Sequence, residues 1–384
     1  MVDWPSAAYI HLPFCRHHCG YCDFPVIAGR NELLPRLLEA LGIELSGLER
    51  ERPVKSLYLG GGTPSHLPVE SLEELIRLAR DWFPLLPGHE FTVEANPADV
   101  TAGWIESLAR LEVTRVSLGV QSFDKATLGL LERDHDEEMI RAAVGFLQDA
   151  AIDISLDLMF AVPGQTIEPW KRDLEKALEL APGHFSIQGL TVEPSTPLHA
   201  RVVAGELVKV DEELQRQMYL AAIERLPAAG YEHYEITSFS LPGHRSRQSE
   251  AYWNGSGYFA AGPGATRFVN GRRETNHRDT VTYLDHLLSG RSPVSSSEQL
   301  SPEMVARERL VFGLCQLEGI EAGVFLDETG FSLPGLMGEC LELYQARGLL
   351  EWDKSILRLT RDGLLLSDSL WPSLLEPLDD DTRC

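Results

Sequence analysis

Six times between residues 8 and about 190, a short apolar run rich in β-formers is followed by a longer stretch with helical periodicity. The apolar runs read AYIHL, VKSLYL, EFTVEA, RVSLGV, DISLDLMF and HFSIQGL. Runs that are apolar almost throughout are typical of parallel strands covered by helices. The pattern predicts an α/β fold whose core is a partial (β/α)6 TIM-like barrel, with a doubly wound open sheet as the alternative.

The rest of the chain has a different pattern. A strongly helical stretch over residues 210–229 is followed by a glycine-rich segment over residues 251–271. From residue 301 onward, helical patterns surround the hairpin-like run LLEWDKSILRLT, which predicts a small C-terminal winged-helix-like domain. We expect a barrel core domain over 1–235, a connecting region over 236–298 and the C-terminal domain over 299–384.

The charge balance limits the classes of partner. With 34 basic and 58 acidic residues the formal net charge is −24, which argues against a nucleic-acid binder or a binder of anionic membranes. A small anion in a local basic pocket remains compatible with this balance. No apolar run approaches the length of a membrane span, and the first residues lack the features of a signal peptide. Only six cysteines in 384 residues favour a reducing compartment, so we expect a cytoplasmic protein.

Half of the cysteines are concentrated in the stretch HLPFCRHHCGYCDF, on the loop predicted to follow the first strand. The spacing Cys15-x3-Cys19-x2-Cys22 indicates a soft metal centre bound by thiolates. A structural zinc would need a fourth ligand, for which His17 and His18 are near enough in sequence. A four-iron cluster bound by three cysteines would instead keep one iron open for chemistry. The other cysteines are predicted to be two helical core residues and a free thiol in the acidic tail, namely Cys315, Cys340 and Cys384.

The cysteine spacing, with an aromatic Tyr21 directly before the last cysteine, resembles the signature of radical S-adenosylmethionine (radical SAM) enzymes. The opening YIHLPFC and the loop LGGGTPS resemble segments of the HemN/HemW branch of that superfamily. The resemblance implies a radical SAM barrel with a 4Fe–4S cluster on Cys15, Cys19 and Cys22, and it favours this cluster over zinc. In the superfamily, S-adenosylmethionine binds the open iron, and its sulfonium is cleaved reductively to a 5′-deoxyadenosyl radical.

The same resemblance implies which residues bind S-adenosylmethionine. Carboxylates suit an ammonium group and ribose hydroxyls, and a guanidinium suits a carboxylate. Several of the residues end successive predicted strands, and such ends meet at one face of a barrel. The implied set is Tyr9, Tyr21, Gly61, Gly62, Thr63, Glu94, Gln121, Arg133 and Asp157.

Two functions compete within this branch. One is an oxygen-independent coproporphyrinogen III dehydrogenase, which decarboxylates propionates of a haem precursor. The other is a haem chaperone of the HemW type, which delivers haem to respiratory haem proteins. Phe24 stands where the dehydrogenase has a further cysteine, and Cys15 lies nearly at the start of the chain, so the chaperone is favoured. The expected partners are haem or a porphyrin, an electron donor and a recipient haem protein; a radical enzyme with another substrate is a third hypothesis.

One motif departs from the HemW pattern. Where that type has HNxxYW, this chain reads QSEAYW, so that Gln248 and Ser249 replace the His-Asn pair thought to hold haem. Tyr252 and Trp253 match the motif, and a glycine-rich GPGA segment follows. Glutamine is a poor iron ligand compared with imidazole. The sequence therefore predicts haem held mainly by burial, with His244 as one candidate for a substitute ligand.

Overall fold

The computed structural model describes residues 4–376, so the predicted free thiol Cys384 lies outside the described residues. The strands are β1 (Ala7–Leu12), β2 (Phe14–Cys15), β3 (Ile27–Ala28), β4 (Val54–Gly61), β5 (Leu85–Ala95), β6 (Arg115–Gln121), β7 (Asp153–Phe160), β8 (His184–Gly189), β9 (Glu232–His233), β10 (Ser238–Ser240), β11 (Tyr258–Ala261), β12 (Thr266–Val269), β13 (Arg272–Asn276), β14 (Val294–Gln299), β15 (Ile320–Glu321), β16 (Leu350–Trp352) and β17 (Ile356–Leu359).

The helices alternate with the long strands in the first half of the chain. They are α1 (Leu34–Ser46), α2 (Val69–Trp82), α3 (Ala102–Arg110), α4 (Lys125–Leu130), α5 (Glu137–Asp149), α6 (Ile167–Glu179), α7 (Pro197–Val203), α8 (Glu212–Ala228), α9 (Arg247–Trp253), α10 (Thr280–Leu288), α11 (Pro302–Cys315), α12 (Ala322–Thr329), α13 (Leu333–Met337), α14 (Glu339–Ala346), α15 (Arg361–Leu365) and α16 (Ser367–Leu375). None of them is long and apolar enough to cross a bilayer.

The six predicted strands form the parallel centre of one sheet, in the order β1, β4, β5, β6, β7, β8. This order follows the chain without reversal, whereas a doubly wound sheet reverses direction at a switch point. Right-handed crossovers in a single direction place the helices on one face of the sheet. The partial (β/α)6 barrel is therefore confirmed, and the doubly wound alternative is wrong.

Each barrel strand has one apolar and one polar face, because successive side chains point to opposite sides. In β7, Ile154 and Leu156 are buried in the main hydrophobic core. Ser155 and Asp157, which alternate with them, line a central cavity instead. Residues of β5, β6 and β8 alternate in the same way, so the apolar core lies between sheet and helices while the barrel interior is polar.

The sheet continues beyond both edges of the barrel. β11 pairs in parallel with β1, and β12, β13 and β14 follow as antiparallel neighbours. At the other edge β10 and β9 add two short antiparallel strands next to β8. The segment between residues 236 and 298 thus supplies strands to the barrel sheet itself; the boundaries on either side of it stay predictions.

The C-terminal part, from residue 302 onward, has its own hydrophobic core and its own sheet of order β15-β17-β16. The order of elements is helix, strand, three helices, then a two-strand wing, which agrees with the winged-helix-like prediction. Cys315 and Cys340 are buried in this part, as their helical apolar patterns predicted.

Candidate functional site

A cavity of about 900 Å³ opens at the carboxyl ends of the parallel strands. Enzymes built on β/α barrels place their ligands at this end, where the loops after the strands converge. The twelve residues implied for the cluster and for S-adenosylmethionine all lie on its wall: Tyr9, Cys15, Cys19, Tyr21, Cys22, Gly61, Gly62, Thr63, Glu94, Gln121, Arg133 and Asp157.

The three cysteines lie on the loop that leaves β1. Cys15 ends β2, which pairs with β3, and a backbone hydrogen bond of 3.0 Å from Cys22 N to Cys19 O closes a turn between the other two. The Thr63 hydroxyl lies 3.5 Å from the Cys15 sulfur, and the Arg133 Nη1 lies 3.8 Å from the Cys19 sulfur. Burial raises the pKa of the Cys15 thiol to about 11, so ionisation of this thiol requires a cation such as a metal centre.

The nearby histidines do not point to a zinc site. His17 Nε2 lies 2.7 Å from the Glu132 carboxylate, and His18 Nε2 lies 3.0 Å from the Cys22 carbonyl oxygen. Within residues 4–376, no three His, Cys, Asp or Glu side chains are grouped closely enough to bind one metal ion. A zinc ion needs such a group, whereas the cysteines around a four-iron cluster bind separate irons. The arrangement gives no support to the zinc alternative.

Two half-buried carboxylates, those of Glu94 and Asp157, face the same cavity. Glu94 accepts hydrogen bonds from the Tyr58 hydroxyl at 2.7 Å and from Gly61 N at 2.9 Å. Asp157 accepts from the Ser117 hydroxyl at 3.0 Å. Burial raises the pKa of Glu94, and burial together with the Glu94 charge raises the pKa of Asp157 to about 7. Neither carboxylate forms an ion pair within the described residues, so this part of the cavity suits a cationic ligand.

Arg133 carries a positive charge on the wall of the same cavity as Glu94 and Asp157. Its Nη2 donates to the Gly119 carbonyl oxygen at 2.9 Å, while its Nε is buried without a partner among the described residues. Gln121, at the end of β6, has a φ of 63°, a left-handed conformation that non-glycine residues seldom adopt and that clusters at functional sites. A ligand carboxylate beside Arg133 would supply the acceptor that its guanidinium lacks.

The glycine loop after β4 allows close packing against the cysteine loop. Gly61 has a φ of 106°, which favours glycine strongly, and a Cβ on Gly62 would lie 2.6 Å from the Phe14 carbonyl oxygen. Any larger residue would push these two loops apart. The close packing of these two loops therefore requires glycine at positions 61 and 62.

The tyrosines of the set frame the cavity from two sides. The Tyr9 hydroxyl lies 2.9 Å from His11 Nδ1, and Tyr21 packs against Leu131 and Met159. Sequence reasoning missed Tyr58, which lines the cavity and holds Glu94. The strand alternation in VKSLYLGG carried the signal, because Tyr58 stands between two buried leucines that face the core.

A second cavity of about 600 Å³ adjoins the first. Residues from α9, β11, β12, β13 and α11 line it, so it lies where the barrel sheet meets the C-terminal part. Most of its wall is aromatic or apolar, with three arginines. Several residues line both cavities: Tyr9, Phe24, Gly61, Glu94, Tyr252, Trp253 and Arg278.

The presumed haem motif lies on α9, between the two cavities. Gln248 is buried, accepts from the Ser56 hydroxyl at 2.7 Å and donates to the Tyr252 hydroxyl at 2.8 Å. The oxygen and the nitrogen of its amide group each form one hydrogen bond, and the side chain thereby supports Tyr252. His244 lies 2.9 Å from Asp153 and is not among the residues of 4–376 that line either cavity. The hypothesis that His244 replaces the missing ligand is therefore not supported.

Comparison with known families gives two matches. Residues 9–177 match the radical SAM superfamily, and residues 300–366 match the HemN C-terminal domain. Proteins described as "Heme chaperone HemW" from Lactococcus lactis subsp. lactis and Bacillus subtilis are 34% and 31% identical to this chain. The first alignment covers 99% of both chains, and the second covers 97% of this chain and 100% of the relative.

Two further similarities extend beyond these bacteria. A Bos taurus protein described as "Radical S-adenosyl methionine domain-containing protein 1, mitochondrial" is 32% identical, covering 98% of this chain and 88% of its own. Among solved structures, coproporphyrinogen III oxidase (HemN) from Escherichia coli, described as a radical SAM enzyme, matches with a TM-score of 0.85 at 21% identity. That match covers 97% of this chain and 90% of the other, and it establishes the fold alone.

Proposed function

Since the chain belongs to the HemW family of the radical SAM superfamily, we propose that it is a haem chaperone holding a 4Fe–4S cluster and S-adenosylmethionine. Membership in the superfamily implies the cluster and S-adenosylmethionine. The haem cargo rests on the HemW relatives, which are described as haem chaperones. The cytoplasmic location expected from the cysteine content stays a prediction.

We assign the cluster to Cys15, Cys19 and Cys22. The observation that carries the assignment is the meeting of these thiols with Glu94, Asp157 and a partly unsatisfied arginine on one cavity. When bound, the cluster supplies an electron to the sulfonium of S-adenosylmethionine. The chain itself holds the three thiolates in place and presents the Glu94 and Asp157 carboxylates to the positive charge of the ligand. It also shields the cluster and the ligand from water.

We assign S-adenosylmethionine to the same cavity. Its ammonium and ribose hydroxyls suit the carboxylates, and its carboxylate suits Arg133. The backbone of Gly61, Gly62 and Thr63 lies close to the loop that carries the three cysteines. Gln121 lies at the end of β6 and lines the same cavity. Tyr9 and Tyr21 close the cavity from the sides.

The proposed cargo of the chaperone is haem. Tyr252 and Trp253 are retained from the HemW motif and line both cavities, while Gln248 supports Tyr252 from below. Haem is a large apolar disc, so aromatic walls stabilise it by burial. The recipient is a haem protein, and an external reductant serves as electron donor.

The test is anaerobic reconstitution followed by haem titration. We expect about four irons per chain and broad thiolate-to-iron absorption. Haem added to this protein should then bind at a single saturable site, seen as a shifted haem absorption band. An intact cluster with no haem binding would remove the chaperone function and leave a radical SAM protein with another substrate.

A further inference from the structure

We propose that the second cavity is the seat of the cargo, and that Arg278 and Arg309 bind the carboxylates of a planar tetrapyrrole there. The inference rests on the proposed chaperone function and specifies where and how that function's ligand is held. Nothing in the motif comparison points to these arginines, because they lie outside it.

The walls of the cavity suit a flat apolar ligand. Tyr252 and Tyr258 meet edge to face with ring centroids 4.7 Å apart, and Trp253 and Phe312 lie with centroids 6.2 Å apart. Phe268 adds a further ring. A cavity of about 600 Å³ is within the usual range for small-molecule and cofactor sites, which are mainly aromatic and apolar with a few polar groups.

Three arginines and two glutamates, Glu94 and Glu308, line this cavity, so an anion is favoured only where an arginine is not already paired with a glutamate. Arg309 has one ion pair among the described residues, 3.4 Å from Glu328, although its side chain is only 16% exposed. Arg278 donates to the backbone carbonyl oxygen of Asp23 at 2.5 Å, and it lies 3.4 Å from the side-chain carboxylate of the same residue. Both guanidinium groups are weakly compensated, in a chain whose net charge is −24. A guanidinium binds a carboxylate with two parallel hydrogen bonds, so these two arginines suit a dicarboxylate.

The third arginine on the wall behaves differently. Arg273 lies 2.8 Å from Glu298 and 2.5 Å from Glu308, so its charge is already neutralised. The cavity also contains an unsatisfied donor, because the buried indole N–H of Trp253 has no partner among the described residues. A buried donor without an acceptor costs stability, and a polar ligand atom would remove that cost. The cavity therefore has two arginines that each form one long ion pair of 3.4 Å, and one donor without a partner among the described residues, on a mainly apolar wall.

The position of the cavity fits a cargo site. It shares Tyr9, Gly61 and Glu94 with the cavity proposed for S-adenosylmethionine. His11 lines it too, but Nδ1 lies 2.9 Å from the Tyr9 hydroxyl and Nε2 lies 3.1 Å from the Pro25 carbonyl oxygen. Both ring nitrogens of His11 are thus hydrogen-bonded within the protein and not offered to the ligand. The tetrapyrrole is therefore held through its flat face and its carboxylates.

The experiment titrates haem into cluster-reconstituted full-length protein and follows the haem absorption band. Arg309→Gln and Arg278→Gln should each weaken haem binding about tenfold or more, since each removes a charged hydrogen bond worth about 1.5–3 kcal/mol. Arg272→Gln is the matched control. Arg272 lies on β13 next to Arg273, is exposed and lines neither cavity within the described chain, so haem affinity should stay unchanged.

A second ligand separates carboxylate binding from general damage. The dimethyl ester of haem keeps the disc but lacks both charges, so it should bind wild type more weakly, and Arg309→Gln should cause no further loss. Ser256→Trp, which places a large ring at an exposed residue lining only the second cavity, should reduce binding of both ligands. Iron content should stay at the wild-type value in all these variants. S-adenosylmethionine affinity should stay at the wild-type value in Arg309→Gln and Ser256→Trp, whose residues line only the second cavity.

The outcomes separate the two proposals. If wild type binds haem and the arginine and Ser256→Trp variants bind it equally well, the second cavity is not the seat, while the chaperone function stands. If wild type with an intact cluster binds no haem, the chaperone function fails and this inference fails with it.

Discussion

Asp157 is a residue that suits a cationic ligand but lowers the stability of the protein when no ligand is bound. It is half-buried on the cavity wall, accepts from the Ser117 and Ser155 hydroxyls, and lies near Glu94, whose charge opposes its ionisation. A carboxyl group in this setting is hard to ionise until a cation arrives. Its pKa of about 7 therefore links the protonation of the site to the stability of the fold.

The first prediction follows from the sign of that shift. The pKa of Asp157 is about 7 in the folded state and about 3.9 when unfolded, so the carboxyl destabilises the fold progressively as pH rises from about 4 to 7. Without S-adenosylmethionine, Asp157→Asn should be more stable than wild type, and the difference should grow by about 2–3 kcal/mol between pH 5 and pH 8. Urea unfolding at both values measures it; a difference that does not vary with pH would contradict the prediction.

The second prediction gives the opposite effect on binding. Asp157→Asn and Glu94→Gln should each weaken S-adenosylmethionine binding by about 1.5–3 kcal/mol, because each removes a charge-assisted hydrogen bond. Calorimetry on reconstituted protein measures the affinity. The exposed Glu179→Ala serves as the control and should bind as wild type does. Unchanged affinity in both carboxylate variants would remove these residues from the site.

The third prediction concerns the thiols. Cys15→Ala, Cys19→Ala and Cys22→Ala should each abolish the cluster, because only three protein ligands hold it. Cys315→Ala, which is buried in the C-terminal part, should retain about four irons per chain. Iron and sulfide analysis after reconstitution checks both arms. Full iron content in any of the three loop variants would exclude that cysteine as a ligand.

At the scale of elements, the short helix α9 is joined to the barrel through one buried carboxylate. Glu90 accepts from the backbone N–H of Arg247 at 3.1 Å and of Gln248 at 3.3 Å, and it lies 2.8 Å from Arg115. Arg115 also donates to the His244 carbonyl oxygen at 2.8 Å. A helix that presents Tyr252 and Trp253 to the cavities is thus fixed by an ion pair beneath it.

The fourth prediction tests this support. Glu90→Ala leaves Arg115 buried with a single remaining carboxylate partner, so it should destabilise the fold by about 3–5 kcal/mol. The matched control, Glu179→Ala, breaks an exposed pair with Arg141 and should cost under about 1 kcal/mol. Denaturant unfolding measures both. Equal costs for the two variants would contradict the role of Glu90.

Elements differ in how far the sequence predicts them. The six barrel strands were predicted because each is long, apolar and separated from the next by a helix. Strands β10 to β14 were not predicted from the sequence, since each has only three to six residues, too few for a clear alternating pattern. The wall of the second cavity was missed because its residues come from separate segments: Arg278 follows β13 and Arg309 lies on α11, and only the tertiary fold places both on one cavity.

At the scale of the whole molecule, the fold does not select the reaction. The chain shares its architecture with HemN across nearly its full length, at 21% identity. Folds are shared by proteins of different function, so the distinction must come from residues in the site. Phe24, 61% exposed, lines both cavities at the position where the dehydrogenase pattern has a further cysteine.

The fifth prediction is that the chain does not convert coproporphyrinogen III to protoporphyrinogen. Phe24 cannot act as the thiol of the dehydrogenase pattern, since it is an apolar ring without a proton to transfer. Reconstituted protein with S-adenosylmethionine and a reductant under anaerobic conditions should yield no protoporphyrinogen, while an authentic dehydrogenase in the same assay yields it. Detection of the product would reverse the choice between the two functions.

The site was more predictable than the molecule around it. All twelve candidate residues were implied by the resemblance to radical SAM proteins, and they line one cavity because several of them end successive strands, which a barrel brings together. His244 was predicted as a substitute ligand because it lies four residues before Gln248 in the sequence. Its side chain pairs with Asp153 instead, so nearness along a loop did not predict where the side chain points. Side-chain direction in loops depends on tertiary contacts that no local pattern contains.

Tyr9, Gly61 and Glu94 form a wall common to both cavities, so the two proposed ligands are thermodynamically linked. Any shift of this wall that changes the affinity for haem when S-adenosylmethionine binds must change the affinity for S-adenosylmethionine by the same factor when haem binds. The protein would then sense its own loading state: a chain that carries cargo would hold its cofactor differently from an empty one, with no subunit interface or separate regulatory domain required.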